Sequence, residues 1–131
     1  MVIDTSALVA ILLGESERDA FIDVLVEALD PLISAATLLE ASIVMETKLG
    51  PGGVSDLDAL LAAIAVRTVA VDGAQAYLAR DAFTRFGKGR SPAGLNYGDC
   101  FAYALAQTMG RALLFKGGDF TRTDVMPAIK S

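Results

Sequence analysis

Short apolar runs alternate with segments of helical periodicity along the chain, and this alternation limits the possible folds more than any other feature. The first run begins at Met1 and ends on the carboxylate of Asp4. Further runs lie at residues 32–34, 67–71, 112–115 and 125–129. Because helical segments separate most of the runs, crossovers rather than hairpins join the strands, which favours parallel pairing. The pattern predicts a three-layer α/β/α sandwich around a central, mostly parallel sheet of about five strands.

The chain also carries signals for where its helices begin and end. We expect helices at residues 5–13, 15–29, 35–49, 54–64, 74–86 and 97–109. Residues 50–53 (GPGG) form the strongest breaker cluster, and we interpret them as a loop. Pro127 restricts the last strand to an edge of the sheet. Because no linker, repeat or low-complexity stretch interrupts the sequence, residues 1–131 are predicted to form one domain.

The composition excludes several classes of active site. The sequence has no His, which removes Ser-His-Asp triads, Cys-His pairs and His-ligated zinc. Cys100 is the single cysteine, so the chain forms neither a disulfide framework nor a cysteine metal cluster. A net charge of −5 argues against a protein that simply coats nucleic acid. No basic n-region precedes the first strand and no apolar run is long enough to span a bilayer, so we expect a cytoplasmic protein with no membrane partner.

Four acids lie where the chain changes from one element to the next. Asp4 and Asp119 follow predicted strands. Glu40 lies about one turn into a helix that follows a strand, and Asp99 lies in the first turn of another helix. Gathered at one edge of a parallel sheet, such carboxylates repel each other and either keep protons or bind a cation. Because Mg²⁺ and Mn²⁺ take oxygen ligands, the sequence predicts a divalent-metal pocket at this edge.

Each of these acids also has a purely structural interpretation. Asp99 fits a helix cap or dipole partner, and Asp119 in a glycine-rich turn fits a turn former. Glu40 is harder to explain in this way, because it stands between Leu39 and Ala41 in an apolar stretch and a buried acid needs a partner. From spacing alone, the metal pocket and the structural interpretation remain equally open.

Four stretches of the sequence resemble the successive motifs of PIN-domain ribonucleases, most closely those of the VapC-type toxins of bacterial toxin–antitoxin pairs. They are residues 1–7 (MVIDTSA), 35–41 (AATLLEA), 96–104 (NYGDCFAYA) and 113–120 (LLFKGGDF). Their order and spacing match across nearly the whole chain. The resemblance implies a PIN-like sandwich and Mg²⁺- or Mn²⁺-dependent endonuclease activity on RNA.

The resemblance also assigns roles to the four acids. By position, the implied catalytic quartet is Asp4, Glu40, Asp99 and Asp119. Asp4 and Asp99 are the implied direct metal ligands. Glu40 and Asp119 would complete the site directly or through water.

The same comparison implies supporting groups and shows one departure. The hydroxyl of Thr5 or Ser6 is expected to support the pocket. Many relatives carry a polar or acidic residue where this chain has Gly118, so any auxiliary ligand there is absent. The number of bound metal ions is therefore left open.

A homodimer and a small VapB-type antitoxin are further partners that the resemblance implies. The two N-terminal helices carry more apolar side chains than one core requires, so we expect them to receive an antitoxin helix in a groove. These side chains are Leu8, Val9, Ile11, Leu12, Phe21, Val24 and Leu25. A basic antitoxin side chain would then reach the acids and displace the metal.

Basic residues cluster between positions 80 and 90. Arg85, Lys88 and Arg90 are candidates for RNA contacts, because phosphate contacts give affinity without sequence information. A solvated helix end and loop explains them equally well. Tyr97 is expected to pack in the core rather than to stack on an RNA base. Asp124 is interpreted as a cap or turn residue rather than as part of the site.

Two functions of other classes remain as alternatives. A receiver-like phosphoacceptor signalling domain also places acids and Mg²⁺ at strand ends, but it requires adjacent acids after the first strand and a Lys after the last. Asp4 has no acidic neighbour, and Lys116 precedes Asp119 within one turn, so the fit is poor. A catalytically silent interaction module with the same fold is the second alternative. The intact carboxylates at every motif position argue against it.

Overall fold

The computed structural model describes residues 1–129, which form four short strands, six α-helices and one 3-10 turn. The strands are β1 (Val2–Ile3), β2 (Leu32–Ser34), β3 (Arg67–Val69) and β4 (Leu113–Leu114). The helices are α1 (Thr5–Leu12), α2 (Arg18–Glu27), α3 (Ala35–Leu49), α4 (Pro51–Ala63), α5 (Gly73–Phe86) and α6 (Tyr97–Met109). The 3-10 turn covers Phe120–Arg122. No helix within the described residues is long and apolar enough to cross a membrane.

All four strands are parallel and lie in the order β3-β2-β1-β4. Val2 of β1 pairs with Leu32 on one side and with Leu113 on the other, so β1 is a central strand. The predicted α/β sandwich with a parallel sheet is therefore confirmed. Four helices begin within one residue of the predicted start, and there the side chains of Asp4, Ser34, Asp72 and Asn96 each accept a hydrogen bond at the N-cap. The helix predicted from residue 15 begins only at Arg18.

The two faces of the sheet support two hydrophobic cores. Successive strand residues point to opposite faces, so Val2 packs in one core and Ile3 in the other. The first core contains residues of α5 and α6, and the second contains residues of α1, α2, α3 and α4. The sheet is therefore the middle layer of three, as predicted.

The expected fifth strand at residues 125–129 is reduced to a single bridge. Pro127 forms a parallel bridge with Leu113, in which the Leu113 N–H donates to the Met126 carbonyl and the Ala128 N–H donates to the Leu113 carbonyl, both at 2.8 Å. Because proline has no N–H, it suits an edge position, where its nitrogen faces away from the ladder. The sheet of the described residues therefore has four strands rather than about five.

The GPGG cluster is a sharp helix corner rather than a loop. Gly50 has a φ of +68°, which glycine adopts readily, and α4 begins at Pro51 instead of the predicted residue 54. Proline suits the first helical position because its φ is already helical. A Cβ on Gly53 would lie 2.6 Å from the carbonyl oxygen of Met45, so α3 and α4 touch backbone to backbone here.

The apolar surplus expected on the N-terminal helices is used inside the protein. Leu8, Ile11, Phe21 and Leu25 are all buried. The expectation that they form a docking face is therefore wrong for these four residues, because α1 and α2 pack onto the same core as β1. Exposed apolar side chains on this side lie instead near the end of α2, at Val26 and Leu29.

Candidate active site

A cleft of about 440 Å³ opens at the carboxyl ends of β1 and β4. After β1 the chain runs outward through β2 and β3 and then returns to β4 on the other side, so this is the point where the strand order reverses. Ligands of open α/β sheets bind at such points. The acids that line the cleft are Asp4, Glu15, Glu40, Asp99 and Asp119. All four predicted site acids are therefore brought together, with Thr5 and Ser6 beside them.

Asp4 is fixed at the junction between β1 and α1. Its main-chain N–H donates to the Leu114 carbonyl of the neighbouring strand at 3.0 Å. Its Oδ2 accepts from the Ser6 N–H at 3.0 Å and from the Ser6 hydroxyl at 2.6 Å, so the carboxylate also caps α1. The side chain is buried, and Oδ1 has no hydrogen-bond partner. One oxygen is thus held by the protein while the other is free to bind a ligand.

Glu40 reaches the cleft from the second turn of α3. The Thr5 hydroxyl donates to its Oε1, which links the end of β1 to α3. Its Oε2 lies against Gly98 of α6, where a Cβ atom would overlap it. The carboxylate position therefore depends on a hydroxyl on one side and on the absence of a side chain on the other.

Asp99 caps a helix and also lies in the cleft. Asn96 and Asp99 form a capping box, in which Asp99 N–H donates to Asn96 Oδ1 at 2.9 Å and Asn96 N–H donates to Asp99 Oδ2 at 3.1 Å. The same carboxylate lines the cleft. Helix capping and a place in the site are therefore compatible at this residue.

Asp119 enters the cleft from the turn after β4. It directly precedes the 3-10 turn and makes no side-chain cap hydrogen bond there. The Asp119 side chain is exposed, unlike those of Asp4 and Asp99. Gly118, beside it, adds no ligand. Asp119 is therefore the most solvated of the four predicted acids.

Burial and mutual repulsion make the cleft hold protons tightly. Burial, which outweighs the hydrogen bonds from Ser6, raises the pKa of Asp4 to about 6. Burial, followed by the negative charges of Asp4, Asp119 and Glu40, raises the pKa of Asp99 to about 7. A cation bound in the cleft would stabilise the charged forms of these carboxylates.

The donor set fits a hard divalent cation. It consists of carboxylate oxygens, with one buried oxygen of Asp4 left unpartnered, and Mg²⁺ and Mn²⁺ prefer oxygen ligands. Within residues 1–129, no three Asp, Glu or Cys side chains are already arranged around one ion position. Two direct carboxylate ligands are compatible with Mg²⁺, which usually keeps several of its waters.

The basic residues predicted to contact RNA do not line the cleft. The guanidinium of Arg85 forms ion pairs with Asp124 at 3.2 Å and with Asp81 at 3.4 Å. Lys88 and Arg90 are exposed. Their RNA contacts remain predictions.

The observed positions of Tyr97 and Asp124 bear on two interpretations from sequence. Tyr97 is 79% exposed and packs edge-on against Phe101, so the prediction that it lies in the core is wrong. Asp124 lies in a bend and, in addition to that turn position, accepts hydrogen bonds from Tyr103 at 2.6 Å and from Arg85. The partners of Asp124 are distant in sequence, so local pattern does not reveal them.

Sequence reasoning also missed three residues at the cleft. They are Gly98, Glu15 and Lys116. Lys116 is the residue that a receiver-like domain would need free after its last strand, and it is bound instead by Glu15 at 2.8 Å. Nothing in the site therefore favours that alternative.

Comparison with known proteins gives consistent relatives. The family model described as "PIN domain" matches residues 1–126. The protein named "Ribonuclease VapC" from Mycolicibacterium smegmatis is 51% identical over 127 residues, which covers 95% of this chain and 97% of that one.

Solved structures with the same fold have much lower sequence identity. The Mycobacterium tuberculosis toxin VapC20, described as cleaving the sarcin–ricin loop, has a TM-score of 0.78 and 17% identity, with 95% of each chain covered. A toxin–antitoxin complex from Klebsiella pneumoniae has a TM-score of 0.73 and 15% identity, with 99% of this chain and 98% of that chain covered. At these identities, the likeness establishes the fold alone.

PIN-domain VapC nucleases are generally dependent on a divalent metal ion, and the oxygen-only donor set of this cleft agrees with that dependence. The family-model match and the high identity cover nearly the whole chain. This chain belongs to the PIN-domain family and, within it, to the VapC-type ribonucleases.

Proposed function

We propose that the acidic cleft is the active centre of an endoribonuclease that hydrolyses RNA phosphodiester bonds with Mg²⁺ or Mn²⁺. The observation that carries this proposal is the buried Asp4 carboxylate, whose Oδ1 has no partner and which shares its cleft with three other predicted site acids. A buried charge without a partner is costly, and a divalent cation at this position removes the cost. The whole chain acts as a single domain in this proposal.

Asp4 and Asp99 are the residues that would hold the ion directly, because they are the two buried acids of the cleft. Glu40 and Asp119 would complete the site, directly or through water. When bound, the ion would supply a Lewis acid that lowers the pKa of water and offsets negative charge on the phosphate. The protein's own contribution is to keep these carboxylates in place and to partly exclude solvent.

The surrounding residues keep the acids in position. Ser6 donates both its N–H and its hydroxyl to Asp4, so the free oxygen of Asp4 has a fixed direction. Thr5 holds Oε1 of Glu40, which leaves Oε2 to accept a hydrogen bond from an attacking water. In hydrolysis, the water oxygen forms a bond to phosphorus and the bond from phosphorus to the leaving ribose oxygen breaks.

We infer that the protein acts in the cytoplasm as the toxin of a pair, with a VapB-type antitoxin as its partner and with a second copy of the chain in a homodimer. The names of the VapC relative and of the Klebsiella toxin–antitoxin complex support this proposal. Exposed apolar side chains of α3 and α6 support self-association, because Leu39, Ile43 and Tyr97 are 62%, 55% and 79% exposed. Copurification with the small protein encoded upstream, and the mass of the complex in solution, test both partners.

Single-turnover cleavage of RNA by the purified chain tests the proposed centre. We expect Asp4→Asn and Asp99→Asn each to slow cleavage by at least about a hundredfold, because each removes a carboxylate that would hold the ion. Chelation of divalent ions should have the same effect on the wild-type chain. Circular dichroism checks that both variants are folded.

The matched control is Asp30→Asn, which removes a carboxylate at the opposite edge of the sheet. Asp30 precedes β2 and does not line the cleft. The Asp30→Asn chain should cleave at the wild-type rate. If both cleft variants cleave as fast as the wild-type chain, the assignment of the active centre is wrong.

A further inference from the structure

Lys116 is the only cationic side chain that lines the acidic cleft in the part of the chain that the structure describes. It follows β4 and stands between the strand and Asp119. The other charged residues of the cleft are all acids. An RNA substrate carries a negative phosphate at every nucleotide. Lys116 attracts that charge, whereas the acids around it repel it.

The main chain of Lys116 is fixed relative to the first acid of the site. Its N–H donates to the Ser6 hydroxyl oxygen at 2.9 Å, and the same hydroxyl donates to Asp4 Oδ2 at 2.6 Å. Two hydrogen bonds therefore connect the Lys116 backbone to the Asp4 carboxylate. The side chain begins from a defined point beside the proposed centre.

The ammonium group of Lys116 is held by acids that are not part of the proposed quartet. Its Nζ lies 2.8 Å from Glu15 Oε2 and 3.4 Å from Glu17 Oε1. Both glutamates come from the short connection between α1 and α2. The hydrogen bond to Glu15, followed by that to Glu17, raises the pKa of Lys116, which keeps it charged at neutral pH. An ammonium group has three N–H donors, so two carboxylates leave one donor over.

We propose that Lys116 binds a phosphate oxygen of the RNA substrate in the cleft, and that Glu15 and Glu17 hold its ammonium group in position to do so. The inference depends on the proposed nuclease function, because it names a substrate contact of the same site. The two glutamates explain why the ammonium group does not instead neutralise Asp4 or Asp99, which must remain available. The side chains of Lys116, Glu15 and Glu17 are about one-third exposed, so a ligand in the cleft can reach them.

Equilibrium binding of RNA, measured apart from cleavage, tests this contact. The probe is a short fluorescein-labelled single-stranded RNA of mixed sequence, followed by anisotropy at several salt concentrations. All chains carry Asp99→Asn so that the probe stays intact. We expect Lys116→Met to weaken binding by about tenfold and to lower the slope of log affinity against log salt by about 0.7, as the loss of one phosphate contact requires.

Two further variants separate the charge from the side chain and from the fold. Lys116→Arg should retain affinity to within about twofold, because it keeps a cationic donor. Lys48→Met is the matched control, because it removes a lysine exposed near the end of α3 and outside the cleft. It should leave the affinity and the salt slope unchanged. Urea unfolding of each chain shows whether the substitution has altered stability.

A double-variant background distinguishes a substrate contact from a structural ion pair. In a chain with Glu15→Gln and Glu17→Gln, Lys116 has no carboxylate partners left to stabilise. A phosphate contact positioned by the two glutamates predicts that Lys116→Met still weakens RNA binding there, but by less than it does when both glutamates are present. The proposal is overturned if the effect disappears in that background, or if Lys116→Met binds RNA with wild-type affinity and slope. Either result leaves the nuclease function intact, whereas that function fails only if the wild-type chain cuts no RNA.

Discussion

The two edges of the sheet use carboxylates in opposite ways. At the amino edge, Asp30 lies 2.9 Å from the Arg67 guanidinium and 3.2 Å from that of Arg111. The hydrogen bond from Arg67, followed by that from Arg111, lowers the pKa of Asp30. At the carboxyl edge, burial raises the pKa of Asp4 and of Asp99. One edge pairs its charges, and the other keeps several acids together without a matching number of cations.

This difference shows what each edge contributes. The amino edge joins the starts of β2, β3 and β4 through arginine bridges, because Arg111 also donates to the Asp30 carbonyl at 2.9 Å. The carboxyl edge gives up some stability to keep charged oxygens available, as sites that bind cations commonly do. A paired carboxylate stabilises the fold, whereas an unpaired one is available for chemistry.

The largest expected difference between the two edges is their contribution to stabilisation by a divalent ion. Mg²⁺ or Mn²⁺ at about one hundred times its dissociation constant should stabilise the wild-type chain by about 2.7 kcal/mol, seen as a higher midpoint of thermal unfolding. Asp4→Asn should lose most of that shift, because the buried oxygen that attracts the ion has lost its charge. Asp30→Asn should keep it. An equal shift in the Asp4 variant would show that the ion binds elsewhere.

The pH dependence of stability should have opposite signs at the two edges. The pKa of Asp99 is higher in the folded chain than in the unfolded chain, so its penalty grows as pH rises from about 4 to about 7 and is complete at pH 8. Without metal at pH 8, Asp99→Asn should therefore raise the free energy of unfolding, by on the order of 1–2 kcal/mol. The gain should be small near pH 4, because Asp99 is protonated in the folded chain there and about half protonated in the unfolded chain.

Asp30→Asn should have the opposite effect on the free energy of unfolding. The pKa of Asp30 is lowered by folding, so this carboxylate stabilises the chain above the unfolded-state pKa and loses its effect as pH falls. The variant should be less stable than the wild-type chain at pH 8. Urea unfolding with chelator present, at both pH values, measures each sign. A loss of stability for both variants at pH 8 would contradict the difference between the edges.

The smallest expected effect concerns the close approach of Gly98 to Glu40. A Cβ at position 98 would overlap Oε2 of Glu40, the end of a flexible side chain. We expect Gly98→Ala to displace that carboxylate and slow cleavage by about tenfold. Because alanine is a better helix former than glycine, the free energy of unfolding should not fall.

Gly52→Ala is a closely matched control for this substitution. Gly52 is the second residue of α4, as Gly98 is of α6, and a Cβ there meets open space. It should leave the cleavage rate unchanged. If both glycine variants cleave at the wild-type rate, the position of Glu40 does not depend on Gly98.

The sequence predicts the part of the site that local signals encode. Asp4 ends an apolar strand and begins a helix, so its place at the edge of the sheet follows from the alternation of elements. Asn96 is a strong N-cap, which fixes where α6 begins and brings Asp99 into its first turn. Both residues have neighbours close in sequence that determine their positions.

Contacts between distant residues could not be predicted in this way. Thr5 and Glu40 are 35 positions apart, and Lys116 is 101 positions from Glu15, whose carboxylate binds its ammonium group. In the sequence pattern alone, Leu8 and Phe21 belong to an apolar surplus on the N-terminal helices. The packing of α1 and α2 buries both side chains. Only the assembled layers show which apolar faces meet each other.

The bridge at Pro127 also has a consequence for solubility. Leu113 uses both its N–H and its carbonyl in that bridge, so the backbone of Pro127 faces away from the sheet. An incoming strand would find no donor there, because the proline nitrogen carries no hydrogen. At the opposite edge, β3 carries the exposed side chains of Arg67 and Thr68. A proline and a charged residue at sheet edges both discourage strand-to-strand polymerisation, so the fold resists aggregating through its sheet at high concentration.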